Sequence, residues 1–163
     1  MSILNITDGL SQHNFYLDII NIYNDVYKNE IPLSHEDGKG TSIIIRNNDN
    51  NQDLPIALLR IYRSTDSNDI GEIADVYVNE EFRGKLSPLG IKWSHLILDI
   101  GLKEAKKKLN IIWLWTTEDN FPAIKLYKFF KFKEFKNLKL SETIKAKHRW
   151  IGEGNIVFFI KEI

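Results

Sequence analysis

The sequence predicts an α/β fold of the mixed α+β kind, in which helices flank a mixed central sheet of about six or seven strands. Three observations lead to this class. The chain has 163 residues, enough for one domain with a single core. Short apolar runs alternate with segments of helical periodicity, and a strand-helix-strand unit in the middle predicts a right-handed crossover. We therefore expect residues 1–163 to form one domain.

Apolar spacing predicts the element order β-α-β-β-β-α-β-α-β-β. A first strand is predicted over Ile3 to Ile6, and a helix follows from about Asn14 to Lys28 because apolar residues recur there at helical spacing. Three strands are then predicted over Thr41 to Arg46, Ile56 to Tyr62 and Glu72 to Val78. Polar loops or turns are expected between these elements, at residues 34–40, 47–53 and 64–69.

The second half of the chain begins with a helix signal at Ser87-Pro88, an N-cap followed by proline at the first helical position. This helix can run to about Lys108, and its two apolar stripes predict that it is largely buried. The remaining elements are strands at 111–116, 132–135 and 156–161 and a short helix at 122–130. Trp113 and Trp115 are expected in the core.

Composition excludes several classes of protein. The chain has no cysteine, which rules out disulfide frameworks, thiolate zinc sites and cysteine nucleophiles. The four histidines lack metal-ligand spacing, so no metal is expected. The start MSILNITDGL is unlike a secretory signal, and no apolar run approaches the roughly 20 residues of a spanning helix. We expect a cytoplasmic protein that does not bind membranes.

Charge is distributed unevenly although the total is zero. Residues 1–82 carry a net charge of −9, and residues 83–136 carry +7. The zero total does not indicate nucleic-acid binding. The split suits a cation at one end and a polyanion at the other, although solvated helix faces alone also produce such splits.

A candidate anion site follows the predicted strand 72–78. There Arg83-Gly84-Lys85 precedes a predicted helix start. Free N–H groups at a helix N-terminus bind phosphate, and two cations can add charge-assisted hydrogen bonds. By itself this tripeptide is a weak signal, and an ordinary solvated turn is its more common explanation.

A second motif, Asn120 to Tyr127, lies directly after a predicted strand. Together with Val76-Tyr77-Val78, Arg83-Gly84-Lys85 and Phe132, it resembles the GNAT (Gcn5-related) N-acetyltransferases. The resemblance is strongest from Gly71 to Phe135, and it implies acetyl-CoA as acyl donor and transfer of the acetyl group to a primary amine.

The resemblance also implies roles for individual residues. The main chain of Val76, Tyr77 and Val78 would pair with the pantetheine arm as an added strand. Tyr127 would point at the thioester sulfur. The pyrophosphate loop would comprise Arg83, Gly84, Lys85, Leu86 and Ser87 with Gly90, and the pantetheine contact at the second motif would come from Asn120 and Ala123.

The chain departs from the family pattern at three places. Leu86 and Pro88 stand where the family has small residues, so the loop amides would come from Lys85, Leu86, Ser87, Leu89 and Gly90. The stretch from Arg83 to Asn120 is longer than in the family, which would lengthen the loop or add a turn of helix. Lys131 replaces the usual glycine, which predicts strained or altered backbone geometry there.

Two residues are candidates for acid-base chemistry. Glu72 stands where many family members carry a glutamate base and could act directly or through water; otherwise it would be a solvated strand-end carboxylate. Asp75 is expected on the opposite face by strand alternation. Tyr127 would protonate the departing thiolate, or would simply pack in the core.

The acceptor is expected to be a small molecule or peptide with a primary amine, and the acidic first half favours a cationic one. Substrate recognition is expected in the loop 29–40 and around Trp150, within the long connection from Lys136 to Asn155. A homodimer is possible. The alternative is a catalytically degenerate GNAT domain that binds an acyl-CoA or a protein partner.

Overall fold

The computed structural model describes residues 1–23, 39–48, 55–64, 69–148 and 154–163. These residues form a seven-stranded sheet and four α-helices. The helices are α1 (Ile3–Ser11), α2 (Trp93–Lys106), α3 (Phe121–Phe129) and α4 (Leu138–Lys147). The strands are β1 (Phe15–Tyr23), β2 (Lys39–Asn47), β3 (Ala57–Arg63), β4 (Ile70–Val78), β5 (Ile111–Thr117), β6 (Lys133–Phe135) and β7 (Ile156–Glu162).

The strand order across the sheet is β1-β2-β3-β4-β5-β7-β6. All neighbours pair antiparallel except β4 and β5, which are joined through α2 and run parallel. A mixed sheet flanked by helices confirms the predicted fold class.

The first two predicted elements are wrong. Residues 3–11 form a helix whose N-cap is Ser2, and Ile6 and Leu10, four residues apart, are both fully buried. The segment predicted as helix is instead β1, paired along its whole length with β2 from Phe15↔Asn47 to Tyr23↔Lys39. The observed order is therefore α-β-β-β-β-α-β-α-β-α-β. Residues 24–28 of that predicted helix lie outside the described residues.

Two later boundaries also differ from prediction. The buried helix begins at Trp93 rather than at Ser87, because residues 83–92 form a turn of their own. The long connection after residue 135 is not a simple loop, since it contains α4. Several predicted features lie wholly or partly outside the described residues. These are Trp150, residues 29–38 of the predicted loop 29–40, residues 49–53 of the predicted turn 47–53 and residues 65–68 of the predicted turn 64–69.

The apolar side chains pack in two layers, one on each face of the sheet. The larger cluster joins residues of α1, α2 and α3, such as Ile6, Leu96 and Leu126, to β-strand residues that include Leu59. The smaller one packs Ile144 of α4 against Trp113 and Phe158, with Trp115 at its edge, as predicted for the two tryptophans. In the described part of the chain, no helix combines the length and hydropathy needed to cross a membrane.

Candidate functional site

Strands β4 and β5 separate after a short paired region. Their ladder contains three pairs, Ile70↔Ile111, Gly71↔Ile112 and Glu72↔Trp113. Beyond it, six residues of β4 and four of β5 remain strand but do not pair with each other. The sheet therefore has a gap in its middle that widens toward the C-terminal ends of both strands.

A β-bulge in β4 lies where the gap opens. Ile73 pairs with Ile61 and Asp75 with Arg60, so Ala74 is an extra residue without a counterpart on β3. Bulges bend a strand and increase its twist, which accounts for β4 turning away from β5 here.

The bulge also reverses the side-chain alternation of β4. Asp75 pairs with Arg60 and Glu72 with Tyr62, and these two β3 residues, two positions apart, share a face of the sheet. Glu72 and Asp75 therefore face the same side. The expectation that Asp75 lies on the opposite face is wrong, because it assumed an unbroken strand.

The edge of β4 presents main-chain groups to the gap. The N–H of Asn79 donates to Ile56 O at 2.8 Å, so the main-chain groups of Asn79 point toward β3. By alternation, the main-chain groups of Val78 and Val76 point away from β3 and into the gap. Consistent with this, Val78 O accepts a hydrogen bond from Arg83 Nε at 2.9 Å. The gap thus exposes polar backbone that a bound molecule could pair with, as an added strand does.

Tyr127 lies beside this gap, on the face of the sheet that α1, α2 and α3 cover. Its ring packs against Phe132 and against Phe159, whose register partner Leu114 is the first β5 residue beyond the paired region. The side chain is buried, and burial raises the pKa of Tyr127 to about 12. Its hydroxyl has no hydrogen-bond partner within the described ranges, so it can donate to a ligand.

The predicted base, Glu72, is fully buried in the row Tyr62–Glu72–Trp113 that crosses three strands. It belongs to the last residue pair before the gap. A solvated strand-end carboxylate is therefore excluded.

The turn from residue 83 to residue 92 is closed by its own hydrogen bonds. Leu86 and Lys92 form an isolated bridge, and Gly84 and Gly90 both have positive φ, +73° and +76°. Four of the five amides expected to bind phosphate already donate within this region. The amide of Lys85 donates to Phe82 O and that of Ser87 to Ile91 O, while those of Leu89 and Gly90 donate to Ser87 Oγ and Ser87 O, respectively. Only the amide of Leu86 donates to no acceptor in the described segments.

The first turn of α2 supplies amides that the sequence pattern did not identify. Because the helix starts at Trp93, the N–H groups of Ser94 and His95 have no intrahelical acceptor. The His95 ring packs edge-on against Phe129 of α3, at 4.7 Å between centroids, and Nδ1 lies 3.3 Å from Ser94 Oγ. Burial, followed by the charge of Lys92, lowers the pKa of His95. The helix start at Trp93 agrees with the expectation that the stretch from Arg83 to Asn120 holds a lengthened loop, although these amides were not predicted to bind phosphate.

Asn120 caps α3 at the end of β5. Its Oδ1 accepts from the N–H of Ala123 at 3.4 Å, and its Nδ2 donates to Thr116 Oγ1 at 3.0 Å. The residue is exposed, and Ala123 packs against the core in the first turn of the helix. These bonds fix the start of the helix that carries Tyr127.

Lys131, at the predicted glycine position, has φ = +66°. This is the left-handed conformation that favours glycine, so the turn is kept and the lysine adopts it at a steric cost. Of the two expected outcomes, strained geometry is the one observed.

A cavity of about 230 Å³ lies elsewhere, between strands β1 to β3 and the end of α2. None of the predicted site residues line it. Its walls are Ile19, Asn21, Gly40, Thr41, Ile61, Arg63, Glu104, Ala105, Lys107, Lys108 and Leu109. Among the described residues, no group of three or more acidic or histidine side chains could hold a metal ion.

No protein-family model matches the sequence, and no curated protein is significantly similar to it. Solved structures do match. A chain of the NatC complex, bound to Gag peptide and CoA, aligns with a TM-score of 0.58 at 15% identity over 90% of this chain and 99% of that one. The acetyltransferase of the GNAT family from Streptococcus pneumoniae aligns with a TM-score of 0.52 at 14% identity, over 76% and 67% of the two chains. The chain has the GNAT fold.

A third GNAT-like neighbour is the spermidine N-acetyltransferase from Vibrio cholerae, with a TM-score of 0.55 and 14% identity. This chain aligns over 76% of its own length and spans 64% of that enzyme's chain, less than two thirds.

Proposed function

We propose that this protein is an acetyl-CoA-dependent N-acetyltransferase that acts on a primary amine of a small molecule or peptide. The observation that carries the proposal is the gap between β4 and β5, with main-chain groups of Val76 and Val78 directed into it from one side and the Tyr127 ring packed beside it. CoA is bound in one structural neighbour, the NatC complex.

The gap fits the donor because pantetheine contains two amide groups. Val76 and Val78 would pair with them as β-strands pair, and Tyr77 would line the arm from the same segment. Asn120 and Ala123, which follow the end of β5, would contact the pantetheine arm from the other side of the gap. A molecule without internal amides would leave these backbone groups unpaired, which is costly once water is excluded.

The diphosphate would lie at the turn 83–92 and the first turn of α2. We assign it the free amides of Leu86, Ser94 and His95, with Arg83 and Lys85 as cations and Gly84, Ser87 and Gly90 shaping the turn. The helix dipole and the net +7 of residues 83–136 support an anionic ligand here.

The reaction is direct transfer in a ternary complex, since no cysteine is present to form a thioester intermediate. The acceptor ammonium loses one proton, and its neutral nitrogen then forms a bond to the acetyl carbon. As the C–S bond breaks and the sulfur leaves as thiolate, the nitrogen loses a second proton, which the released thiol takes up. Main-chain N–H groups near Val78 would stabilise the oxyanion.

Tyr127 acts by hydrogen bonding rather than by giving up its proton fully. With a pKa of about 12 it is a weaker acid than a thiol, whose ordinary pKa is about 8.5. It therefore stays protonated through the catalytic pH range and donates to the developing thiolate, and the proton lost from the amine balances the thiol finally released.

Glu72 is the proposed base. Because the carboxyl is fully buried at the closed end of the gap, we propose that it receives the amine's proton through water rather than by direct contact.

The acceptor is proposed to be cationic, as the net −9 of residues 1–82 favours. One structural neighbour is a spermidine N-acetyltransferase, and another is bound to a peptide. Because acetyl-CoA is made and used inside cells, we place the protein in the cytoplasm. We propose that it acts as a single domain that could form homodimers, and that it needs no nucleic acid, membrane or metal.

Isothermal titration with acetyl-CoA, followed by thiol release from a panel of primary amines, tests the proposal. We expect binding in the micromolar range and release with at least one cationic amine. Absence of binding at hundreds of micromolar would overturn it.

The self-bonded turn 83–92 favours a second candidate. Four of the five expected phosphate-binding amides are already engaged, which is what a degenerate GNAT domain that binds an acyl-CoA or a protein partner without catalysis would tolerate. Measurable CoA binding with no thiol release across the panel supports this candidate over the enzyme.

A further inference from the structure

Asp75 occupies a special position at the mouth of the gap. The bulge at Ala74 places it on the face opposite α2 and α3, one residue before Val76, whose main chain faces the gap. Its side chain remains 45% exposed, although it belongs to a central strand.

Arg60 holds the carboxylate of Asp75. The Arg60 Nη1 donates to Asp75 Oδ2 at 3.2 Å across the β3–β4 ladder. Within the described segments Asp75 Oδ1 accepts no hydrogen bond. One oxygen is thus held by Arg60, and the half-exposed side chain leaves the other able to accept a further hydrogen bond.

We place the approach of the acceptor on this face of the gap. The opposite face is filled by the core that joins α1, α2 and α3 to Val78 and Ile73. On the Asp75 face, α4 packs around Trp113 and Phe158 on the far side of the gap, whereas Tyr77 of β4 and Ile20 of β1 are 39% and 44% exposed.

We infer that Asp75, oriented by Arg60, binds the ammonium group of the acceptor and so selects cationic aliphatic amines. The inference rests on the proposed function. A carboxylate oxygen is the strongest acceptor that an ammonium donor can meet. Because Asp75 directly precedes Val76, an ammonium bound there lies next to the segment that would hold the thioester. In this role Asp75 contacts the substrate, and Arg60 is a positioning residue.

The sheet provides a matched control on the same face. Asp18 of β1 forms a similar ion pair with Arg46, at 3.5 Å between Oδ2 and Nε, and its side chain is 36% exposed. It lies three strands away from the gap. Asp18→Asn removes the same charge from the same face without touching the acceptor position.

The experiment measures binding of lysine methyl ester by saturation-transfer NMR, and its KM where there is turnover, for the wild type, Asp75→Asn and Asp18→Asn. We expect Asp75→Asn to weaken amine binding by about tenfold or more, with acetyl-CoA affinity within twofold of the wild type. Asp18→Asn should match the wild type, and Asp75→Glu should recover part of the loss.

Equal amine affinity in Asp75→Asn and Asp18→Asn, with both folded and binding acetyl-CoA, would overturn the inference and leave the proposed function intact. If amine binding depends on Asp75 but the protein does not bind acetyl-CoA, the inference about Asp75 stands and the proposed function is overturned. Arg60→Lys supplies a further check, since loss of orientation should raise the KM for amine and leave the KM for acetyl-CoA unchanged.

Discussion

The amide of Phe132 donates to the carbonyl oxygen of Tyr127 at 3.1 Å, across the turn that ends α3. A second bond, from the Lys131 amide to Lys128 O at 3.0 Å, lies inside the first. With Lys131 in the left-handed conformation, these two bonds form a Schellman motif, and the Tyr127 and Phe132 rings pack 6.0 Å apart as its apolar contact. The helix end thus fixes the position of Tyr127, whose ring packs against Phe159 beside the gap.

Replacing Tyr127 with Phe should lower kcat by about 10- to 100-fold while the Kd for acetyl-CoA stays the same, because the hydroxyl stabilises only the departing thiolate. Steady-state thiol release and titration calorimetry measure the two quantities. Tyr16→Phe, at an exposed position on β1, is the control and should change neither. An unchanged kcat in Tyr127→Phe would remove the tyrosine from the mechanism.

Tyr127 should also make stability depend on alkaline pH. Burial raises its pKa from 10 to about 12, so the unfolded chain loses this proton before the folded one does. The stabilisation is complete below pH 10 and is lost as the pH rises through 12. From pH 8 to pH 11, the free energy of unfolding of the wild type should fall by roughly 1 to 2 kcal/mol more than that of Tyr127→Phe. Urea unfolding of both proteins at the two pH values measures this, and equal losses would show that the phenol is not buried in solution.

Lys131→Gly should raise the free energy of unfolding by about 0.5 to 1 kcal/mol. Glycine adopts φ = +66° without the steric cost that an L side chain incurs, and part of this gain is offset by the greater entropy of glycine in the unfolded chain. Thermal or urea unfolding checks the sign, with Lys131→Ala, which keeps the strain and also removes the charge, as the comparison. If glycine is no more stable than alanine there, the turn geometry is incorrect.

Asn120→Ala should destabilise the fold by about 1 kcal/mol through loss of the cap on α3 and of the bond to Thr116. Asn120→Asp retains the capping oxygen and should recover most of that loss in urea unfolding. If Asn120 also binds pantetheine, both variants weaken CoA binding, because neither keeps the amide donor. A stability loss of equal size in the two variants would argue against the cap.

Part of the backbone around the candidate site could be predicted from local sequence, because it depends on residues close together in the chain. The strand that holds Val76 to Val78 and the short helix after Asn120 are both present as predicted, whereas the capping role of Asn120 was not foreseen. Lys131 keeps a positive φ, which is the strained one of the two outcomes expected where the family has glycine.

The parts that failed depend on pairing between distant residues. Ile19, Ile22 and Tyr23 have helical spacing, yet β1 forms because β2 offers a complete antiparallel partner. The bulge at Ala74 has no local signal, because it is defined by a residue missing from β3. It nevertheless decides which face Asp75 occupies. Likewise the start of α2 depends on how the turn 83–92 satisfies its own amides.

A crystal structure with acetyl-CoA bound tests the central claim most directly. We expect the pantetheine amides to lie between β4 and β5, hydrogen-bonded to the main chain of Val76 and Val78, with the sulfur within hydrogen-bond reach of the Tyr127 hydroxyl. A structure in which β4 and β5 pair beyond Glu72 and Trp113, with the cofactor bound elsewhere or not at all, would contradict it.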